Sequence, residues 1–249
     1  RLNTWYCKSS SFAAYLKKVE IPISKTLDGF VTFSHYQSLV LDSNNVPYVA
    51  YKDVVNGNKT SVMKFNGITW SLVGNAGFSA GAADDQSLAI GSNNTLYVAY
   101  RDAANGNKTT VMKFNGTNWV VVGSIGFTNT TTSGRYRLGL ELDNNNIPYI
   151  SYYNASVNAA TVMKFDGTNW VIVGNVMAST GEASNINLKF DSTNTPYLGY
   201  TDQSNSAYKA SVRKFNGTNW VFVGNASFSS AVADELSLAI DSNNVPYVA

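Results

Sequence analysis

The chain has 249 residues, of which 44% are apolar and only 14% are charged, and its formal net charge is +2. Soluble proteins carry about a quarter charged residues, so the polar surface here must consist largely of Asn, Ser, Thr and Gly. These residues favour turns and strand edges over exposed helices. The sequence contains no basic run of the kind that nucleic-acid binding needs. No apolar stretch approaches the roughly 18 residues of a membrane span, so we expect neither nucleic-acid binding nor membrane insertion.

Cys7 is the only cysteine and His35 is the only histidine in the chain. A single cysteine forms no intrachain disulfide and no cysteine-based zinc site, and a single histidine excludes metal sites built from several histidines. A Ser-His-Asp triad is not expected either, because a lone histidine is usually an ordinary packed or surface residue. The sequence therefore predicts no catalytic constellation, no metal site and no cofactor.

Two sequence motifs recur in phase along the chain. The first is Met-Lys-Phe-Asn-Gly or a close variant, and it begins at Met63, Met112, Met163 and Arg213. A tryptophan follows each time, with spacings of 49, 51 and 50 residues, at Trp70, Trp119, Trp170 and Trp220. The second motif is Pro-Tyr-Val-Ala-Tyr-Lys-Asp or a variant, and it occupies residues 47–53, 96–102, 148–154 and 196–202, with a fifth copy over 246–249. Two motifs that hold phase through four units indicate a repeat architecture.

Each unit contains four short runs with the character of strands, which in the first unit are residues 38–42, 47–53, 60–65 and 69–74. Asn66-Gly67 is the strongest short-range hairpin signal, because a type I′ turn needs positive φ at both central positions. Four antiparallel strands per roughly 50 residues are typical of a propeller blade. We therefore predict an all-β fold, a β-propeller of four-stranded antiparallel blades. The repeated tryptophan is predicted to pack between blades, the alternative being an exposed platform for a ligand.

The repeat units cover approximately residues 38–86, 87–136, 137–185, 186–236 and 237–249, and residues 1–37 precede them. We predict a single propeller domain over residues 1–249, with five blades and closure by pairing of the two termini. In this arrangement residues 12–18 and 19–24 are strands, 12–18 pairs with 245–249, and 29–37 crosses into the first blade. A competing register stays open, since residues 2–12 resemble 218–228. In that register 13–36 are an insertion and the chain is a slice of a larger ring.

The repeat, with Pro-Tyr-Val-Ala-Tyr-Lys-Asp followed by Val-Met-Lys-Phe-Asn-Gly-Thr-Asn-Trp, resembles repeats of bacterial secreted and cell-surface proteins, especially tandem-repeat, adhesin-like proteins. The resemblance covers residues 38–249. It implies a propeller fold and an extracellular or cell-surface location, and it says less about biochemical function.

The hairpin between the third and fourth strands also resembles, more weakly, the Asp-box of sialidase-like propellers. Gly67, Thr69 and Trp70 fit the end of its Ser-x-Asp-x-Gly-x-Thr-Trp pattern. The aspartate two residues before the glycine is missing, because this position holds Phe65, Phe114, Phe165 and Phe215. The five arginines of the chain share no repeat position, so sialidase chemistry is not expected.

Candidate binding residues lie where the second strand of each unit ends. In a four-stranded blade the 2→3 and 4→1 connections share one face, and binding residues concentrate in variable loops on a rigid scaffold. Carboxylates, amides and aromatic rings that recur at this position in each blade form a ring of groups that can bind the hydroxyl groups of sugars. The alternative is that Asp53 and its counterparts cap the backbone of the loops. We predict ligand binding by Lys52, Asp53, Arg101, Asp102, Tyr153, Asn154 and Asp202.

These features favour a non-catalytic extracellular recognition module, of the lectin type, which binds carbohydrate through one multivalent face. The alternative is a structural or protein-binding repeat domain of a surface adhesin or filament. The expected partners are accordingly glycans or surface proteins. A glycoside hydrolase needs two carboxyl groups about 5–10 Å apart, and only Asp84 and Asp85, placed in a 4→1 crossing, come into question. The Ser-Asn-Asn turns resemble calcium loops but lack the further ligands that such loops require.

Overall fold

The computed structural model describes residues 37–129, 138–204 and 208–249. In these ranges there are eighteen strands, and the only helical turn is a 3-10 turn at Ala103–Asn105. Within the same part of the chain, no helix has the length and apolarity to cross a membrane. The prediction of an all-β fold is therefore confirmed.

The strands form four four-stranded antiparallel sheets and one two-stranded sheet, each built from consecutive strands. The first two sheets contain β1 (Ser38–Leu41), β2 (Pro47–Asp53), β3 (Lys59–Phe65) and β4 (Trp70–Leu72), then β5 (Ala83–Ile90), β6 (Leu96–Asp102), β7 (Lys108–Phe114) and β8 (Trp119–Val121). The next two contain β9 (Gly139–Leu142), β10 (Pro148–Asn154), β11 (Ala159–Phe165) and β12 (Trp170–Ile172), then β13 (Ala183–Phe190), β14 (Pro196–Asp202), β15 (Lys209–Phe215) and β16 (Trp220–Phe222). The fifth sheet consists of β17 (Leu238–Ile240) and β18 (Pro246–Val248).

The sheets are arranged as the blades of a propeller. The first strand of each sheet contacts the first strand of the next, so that β1, β5, β9, β13 and β17 form the inner row. Each cluster of buried apolar side chains draws on two neighbouring sheets, as where Val62 and Val73 of the first blade pack with Val98 and Trp119 of the second. The core therefore lies between blades, which explains why the middle strands are apolar on both faces.

The tryptophan that opens the fourth strand packs between blades, as predicted. The indole Nε1 of Trp170 donates to the carbonyl oxygen of Val122 in the preceding blade, 2.9 Å away. Its ring stacks on Phe127, with centroids 4.5 Å apart and planes at 2°. Trp170 is 9% exposed and Trp220 is 3% exposed, so neither ring is a platform for a ligand.

The tight turns between first and second strands also join neighbouring blades. Asn94, Asn146, Asn194 and Asn244 each adopt a positive φ of 61–66°. In each case the side-chain Oδ1 accepts the backbone N–H of a residue in the preceding blade's turn, for example from Ser92 to Asn146 at 2.7 Å. Asparagine is suited to this position because it tolerates the left-handed conformation and carries an acceptor.

The second and third strands of the first blade agree with the sequence prediction to within one residue, whereas the fourth strand is shorter, Trp70–Leu72 instead of 69–74, and the inner row also differs. The second strand of the first blade is Pro47–Asp53, as predicted, but β5 begins at Ala83 and includes Asp84 and Asp85. The placement of this acidic pair in a 4→1 crossing was therefore wrong. A β-bulge between Asp84 and Ser87 accommodates the extra residues, and β13 starts early for the same reason.

Blade count and ring closure stay predictions. Residues 1–36 lie outside the described residues. They include the proposed strands 12–18 and 19–24, all but the last residue of the crossing 29–37, and Trp5, on which the competing register depends. Among the described residues β18 pairs only with β17. The division of residues 1–249 into one closed domain is likewise untested.

Candidate ligand-binding face

The 2→3 loops and 4→1 crossings lie on one face of the propeller, which we call the loop face. The two connections of each blade pack on each other there. In the first blade Ala83 N–H donates to the carbonyl oxygen of Asn58 at 2.9 Å, and Phe78 N–H donates to that of Thr60 at 3.0 Å. Gly77 has φ +57° and lies so close to Asn56 that a Cβ would come within 2.8 Å of that side chain. The loop face is therefore compact, and its loops brace one another.

Asp53 and Asp102 close the second strands of the first two blades and are buried, with exposures of 6% and 1%. The carboxylate of Asp102 accepts from the Ala104 backbone at 3.1 Å, the Asn105 amide at 2.8 Å and the Thr110 hydroxyl at 2.8 Å. The Thr110 oxygen in turn accepts the N–H of Gly126 at 2.9 Å. One carboxylate thus ties the 2→3 loop to the third strand and, through a hydroxyl, to the 4→1 crossing.

Asn154 and Asp202 take the same position in the next two blades, and both are buried. Asn154 accepts from Ser156 N–H at 3.1 Å through its oxygen, whereas its amide donates to the Thr161 hydroxyl at 3.2 Å. Thr161 therefore turns its own proton to the carbonyl oxygen of Val176, at 2.6 Å. An amide substitutes for the carboxylate because the neighbouring hydroxyl can act as either donor or acceptor.

The capping role that the sequence left open as the alternative thus describes the contacts of Asp53 and its three counterparts. Their polar atoms are engaged by hydrogen bonds to the surrounding loops and strands. Direct contact of these four residues with a ligand stays a prediction. The more exposed predicted residues are Lys52, Arg101 and Tyr153, which precede them in the chain.

Lys52 and Arg101 meet at the joint between the first and second blades. Lys52 Nζ lies 2.7 Å from Asp84 Oδ1, and Arg101 Nη2 lies 2.9 Å from Asp84 Oδ2. Arg101 also contacts Asp85 through Nε at 3.2 Å and Asn107 Oδ1 through Nη1 at 3.2 Å. We call Lys52, Asp84, Asp85, Arg101 and Asn107 the joint cluster. It combines cationic donors with carboxylate acceptors in one place.

The joint cluster is partly open to solvent. The side chains of Lys52, Asp84 and Arg101 are 28%, 24% and 20% exposed, whereas that of Asp85 is 3% exposed. Asp85 has φ +54° and lies in the bulge of β5, which brings its carboxylate beneath the guanidinium. Sequence reasoning found the two cations but missed that the acidic pair faces them. The only signal was the unusual pair Asp84-Asp85 itself.

The equivalent positions of the later blades carry different chemistry. Tyr153 donates its hydroxyl to Asn158 Oδ1, and burial together with the nearby Glu182 carboxylate raises the pKa of the Tyr153 hydroxyl. Thr201 is buried and donates its hydroxyl to the carbonyl oxygen of Ala233 at 2.7 Å. The equivalent position recurs in four successive blades, but its residues are not chemically equal.

The aspartates of the inner-row turns are held by backbone contacts. Asp143 Oδ1 accepts the N–H groups of Asn145 and Ile147, both at 2.9 Å. Among the residues that the structure describes, no group of three or more His, Cys, Asp or Glu side chains is arranged to hold a metal ion. Asp84 and Asp85, the only pair considered for hydrolysis, are both paired with Arg101.

No family model matches the sequence, and no curated protein matches it. Among solved structures, the chain is similar to a fucose-specific lectin from Aleuria aurantia, with a TM-score of 0.55, 12% identity, and coverage of 83% of this chain and 67% of the lectin. It is similar to SapL1 lectin in complex with alpha methyl fucoside, with a TM-score of 0.55, 15% identity and the same coverages. It is also similar to an ulvan lyase of a polysaccharide lyase family, with a TM-score of 0.52, 13% identity, and coverage of 79% and 59%. At these identities the similarity establishes the propeller fold.

Proposed function

We propose that the chain is a non-catalytic carbohydrate-binding module that engages hydroxyl-rich glycans on its loop face. The observation that carries the proposal is the joint cluster, in which Lys52 and Arg101 present donors beside the Asp84 carboxylate at a solvent-accessible junction of two blades. A sugar carries vicinal hydroxyl groups that both donate and accept hydrogen bonds. Hydrogen bonds to charged partners are about twice as strong as neutral ones. The joint cluster is therefore the part of the loop face where hydrogen bonds contribute most to the binding free energy of a glycan.

The rest of the loop face favours ligand binding rather than catalysis. The buried aspartates and asparagine hold the loops in fixed positions, which limits the entropy lost when a ligand binds. Tyr153 offers a partly exposed ring at the equivalent place in the third blade. A shallow primary site with weaker neighbours on one rigid face gains affinity for multivalent ligands through effective concentration.

The comparisons support the same class of ligand. The similar structures include fucose-binding lectins and a polysaccharide lyase, so carbohydrate is the common partner of these three propellers. The identities of 12–15% do not carry their specificity to this chain. The similarity to these lectins and the repeat's resemblance to adhesin-like surface proteins together support an extracellular or cell-surface location.

A glycan array probed with the recombinant chain tests the proposal, followed by titration of the best ligand against variants. Arg101→Lys keeps the charge but removes the forked geometry, and we expect binding to weaken at least tenfold at a temperature where circular dichroism shows the variant to be folded. Lys113→Ala is the matched control, because Lys113 is an exposed lysine on strand β7 away from the joint cluster. Equal binding by the parent and Arg101→Lys would show that the glycan binds elsewhere.

A structural or protein-binding role in a surface adhesin is the second candidate. The inequality of Lys52, Arg101, Tyr153 and Thr201 favours it, since a scaffold does not need to repeat one ligand-binding chemistry. A parent chain that binds no glycan on the array, but is retained by an extracellular matrix or surface protein, would establish this alternative.

A further inference from the structure

The Asp84 carboxylate lies between the two cations of the joint cluster. Its Oδ1 accepts from Lys52 Nζ at 2.7 Å, and its Oδ2 accepts from Arg101 Nη2 at 2.9 Å. Asp84 and Arg101 are also cross-strand partners in β5 and β6, so the sheet holds the carboxylate in place. Asp84 therefore occupies the position between the cations that the carboxylate of an acidic ligand would take.

The charges of the joint cluster balance one another, because the cations of Lys52 and Arg101 are paired with the carboxylates of Asp84 and Asp85. An acidic ligand that reaches the cations must displace a carboxylate that the backbone already holds beside them. It also comes close to the two negative charges, and like charges placed together in an interface oppose binding. The cluster therefore attracts an anionic ligand much less than its two cations alone would.

The cluster keeps hydrogen-bonding capacity for neutral hydroxyl groups. In the described part of the chain, Nε, Nη1 and Nη2 of Arg101 each make one hydrogen bond, and each terminal nitrogen carries a further N–H. Both oxygens of the Asp84 carboxylate have a second lone pair that can accept. A hydroxyl group can donate to Asp84 while it accepts from Arg101. A ligand carboxylate cannot do so, because it only accepts.

We propose that the joint cluster selects neutral glycans with neighbouring hydroxyl groups over acidic glycans, and that Asp84 determines this selection. The inference rests on the proposed carbohydrate-binding function and adds the class of sugar. Asp84 acts as an internal anion that satisfies both cations and at the same time accepts a hydroxyl proton. Its removal opens the position between Lys52 and Arg101 and leaves only Asp85 to balance them. A chain without the Asp84 carboxylate should therefore bind acidic sugars.

The fourth blade shows that a serine fits the position of Asp84. Ser184 stands at the start of the β-bulge in β13, as Asp84 stands at the start of the bulge in β5. The next residue has a positive φ in both strands, 54° at Asp85 and 49° at Asn185. Asp84→Ser is therefore compatible with the strand, and circular dichroism should show that this variant is folded.

Titration of the full chain with methyl glucuronide and methyl glucoside tests the proposal. The two probes differ only at C6, which is a carboxylate in the first and a hydroxymethyl group in the second. We expect Asp84→Ser to bind the glucuronide at least tenfold more tightly than the parent chain binds it, and more tightly than it binds the glucoside. The gain should shrink at high salt, because screening weakens the attraction between charges. Chemical-shift titration by NMR measures such weak affinities.

Two further variants separate the position of the charge from its amount. Asp166→Asn also removes one negative charge, but Asp166 is exposed in the hairpin between β11 and β12, where the other complete blades have asparagine. We expect it to bind the glucuronide as the parent does. Lys52→Thr combined with Asp84→Ser should lose the gain, because one of the two cations is absent. Threonine is suitable there, since Thr201 holds the equivalent position in the fourth blade.

The proposal is overturned if the parent binds the glucuronide as tightly as Asp84→Ser does, or if neither chain binds it. A gain of equal size in Asp166→Asn would also overturn it, as would a glycan array on which acidic glycans bind the parent best. That last result would leave the proposed carbohydrate binding intact. Conversely, a parent that binds no glycan on the array would overturn the proposed function, whereas a gain of glucuronide binding by Asp84→Ser would still support the exclusion of anions by Asp84.

Discussion

The indole Nε1 of Trp119 lies 2.8 Å from the carbonyl oxygen of Val73, which is 46 residues earlier and one blade away. The same ring stacks on Phe78, with centroids 4.6 Å apart and planes at 10°. One side chain therefore supplies apolar contact and a directional bond to the neighbouring blade. Because Trp119 is only 7% exposed, removing it leaves a cavity between blades rather than a gap at the surface.

Trp119→Ala should accordingly lower the free energy of unfolding by about 3–5 kcal/mol, the usual loss for a buried large aromatic side chain. Urea denaturation monitored by circular dichroism measures it. Ile68→Ala is the control, because Ile68 is 86% exposed and its removal should change the stability by no more than about 0.5 kcal/mol. A loss below about 1 kcal/mol for Trp119→Ala would contradict the packing role.

Asp102→Ala should destabilise the second blade by about 3 kcal/mol, because it leaves a backbone N–H, an amide and a hydroxyl without their acceptor. Asp102→Asn should cost clearly less. Asn154 holds the same position in the third blade through an amide. Thermal and urea unfolding of the two variants, compared side by side, measure the difference. Equal losses would show that the carboxylate charge, rather than its hydrogen bonds, braces the loop.

Asn146→Gly and Asn146→Ala separate two features of the inner-row turns. Both variants lose the acceptor of Ser92 N–H, but glycine keeps the positive φ of 61°. Alanine must in addition adopt a left-handed conformation, which costs about 1 kcal/mol. We expect stability to fall from parent to Gly to Ala in urea unfolding. An alanine variant as stable as the glycine variant would mean that the turn has changed its backbone.

The stability of the fold should decline in alkali. Burial raises the pKa of Tyr152 to about 12, above its value of 10.0 in an unfolded chain. Below pH 10 the hydroxyl is protonated in both states, and its contribution is complete. Between pH 10 and 12 the unfolded state loses the proton first, so stability falls by up to about 1.4 kcal/mol per pH unit for each such tyrosine.

Tyr152→Phe tests this assignment, since it removes the titrating group and keeps the ring. The variant should lose stability less steeply than the parent between pH 10 and 12, in urea unfolding at fixed pH values. Tyr100 is buried in the same way, and its pKa is also raised, so part of the decline should remain. Identical slopes for parent and variant would exclude Tyr152 as a source.

The sequence was sufficient to predict the repeat, the four-stranded blade and the packing of the tryptophans, because each depends on periodic local signals. It was insufficient for the first strands of the second and fourth blades. Asp84 and Asp85 have the composition of a loop, and only the bulge, with Asp85 at positive φ, accommodates them in a strand.

The candidate site was predicted less completely for a different reason. The position of Asp102 follows from the repeat, but whether its carboxylate faces a ligand or the loop depends on burial, which the repeat does not encode. The joint cluster brings Lys52 of one blade to Asp84 of the next, 32 residues later. Such a contact depends on the rotation between blades, and no motif in either blade reports it.

The asparagine joints between inner-row turns have a consequence for how such a chain changes over generations. Each joint uses the same bond, from a turn N–H in one blade to an asparagine Oδ1 in the next. Nothing in this bond distinguishes one neighbour from another. A gene can therefore gain or lose a whole unit of about 50 residues while every remaining joint keeps its partner. Because the bond does not distinguish one neighbour from another, blades of two chains can also be exchanged during folding. Such domain swapping is a characteristic failure of proteins built from similar repeats.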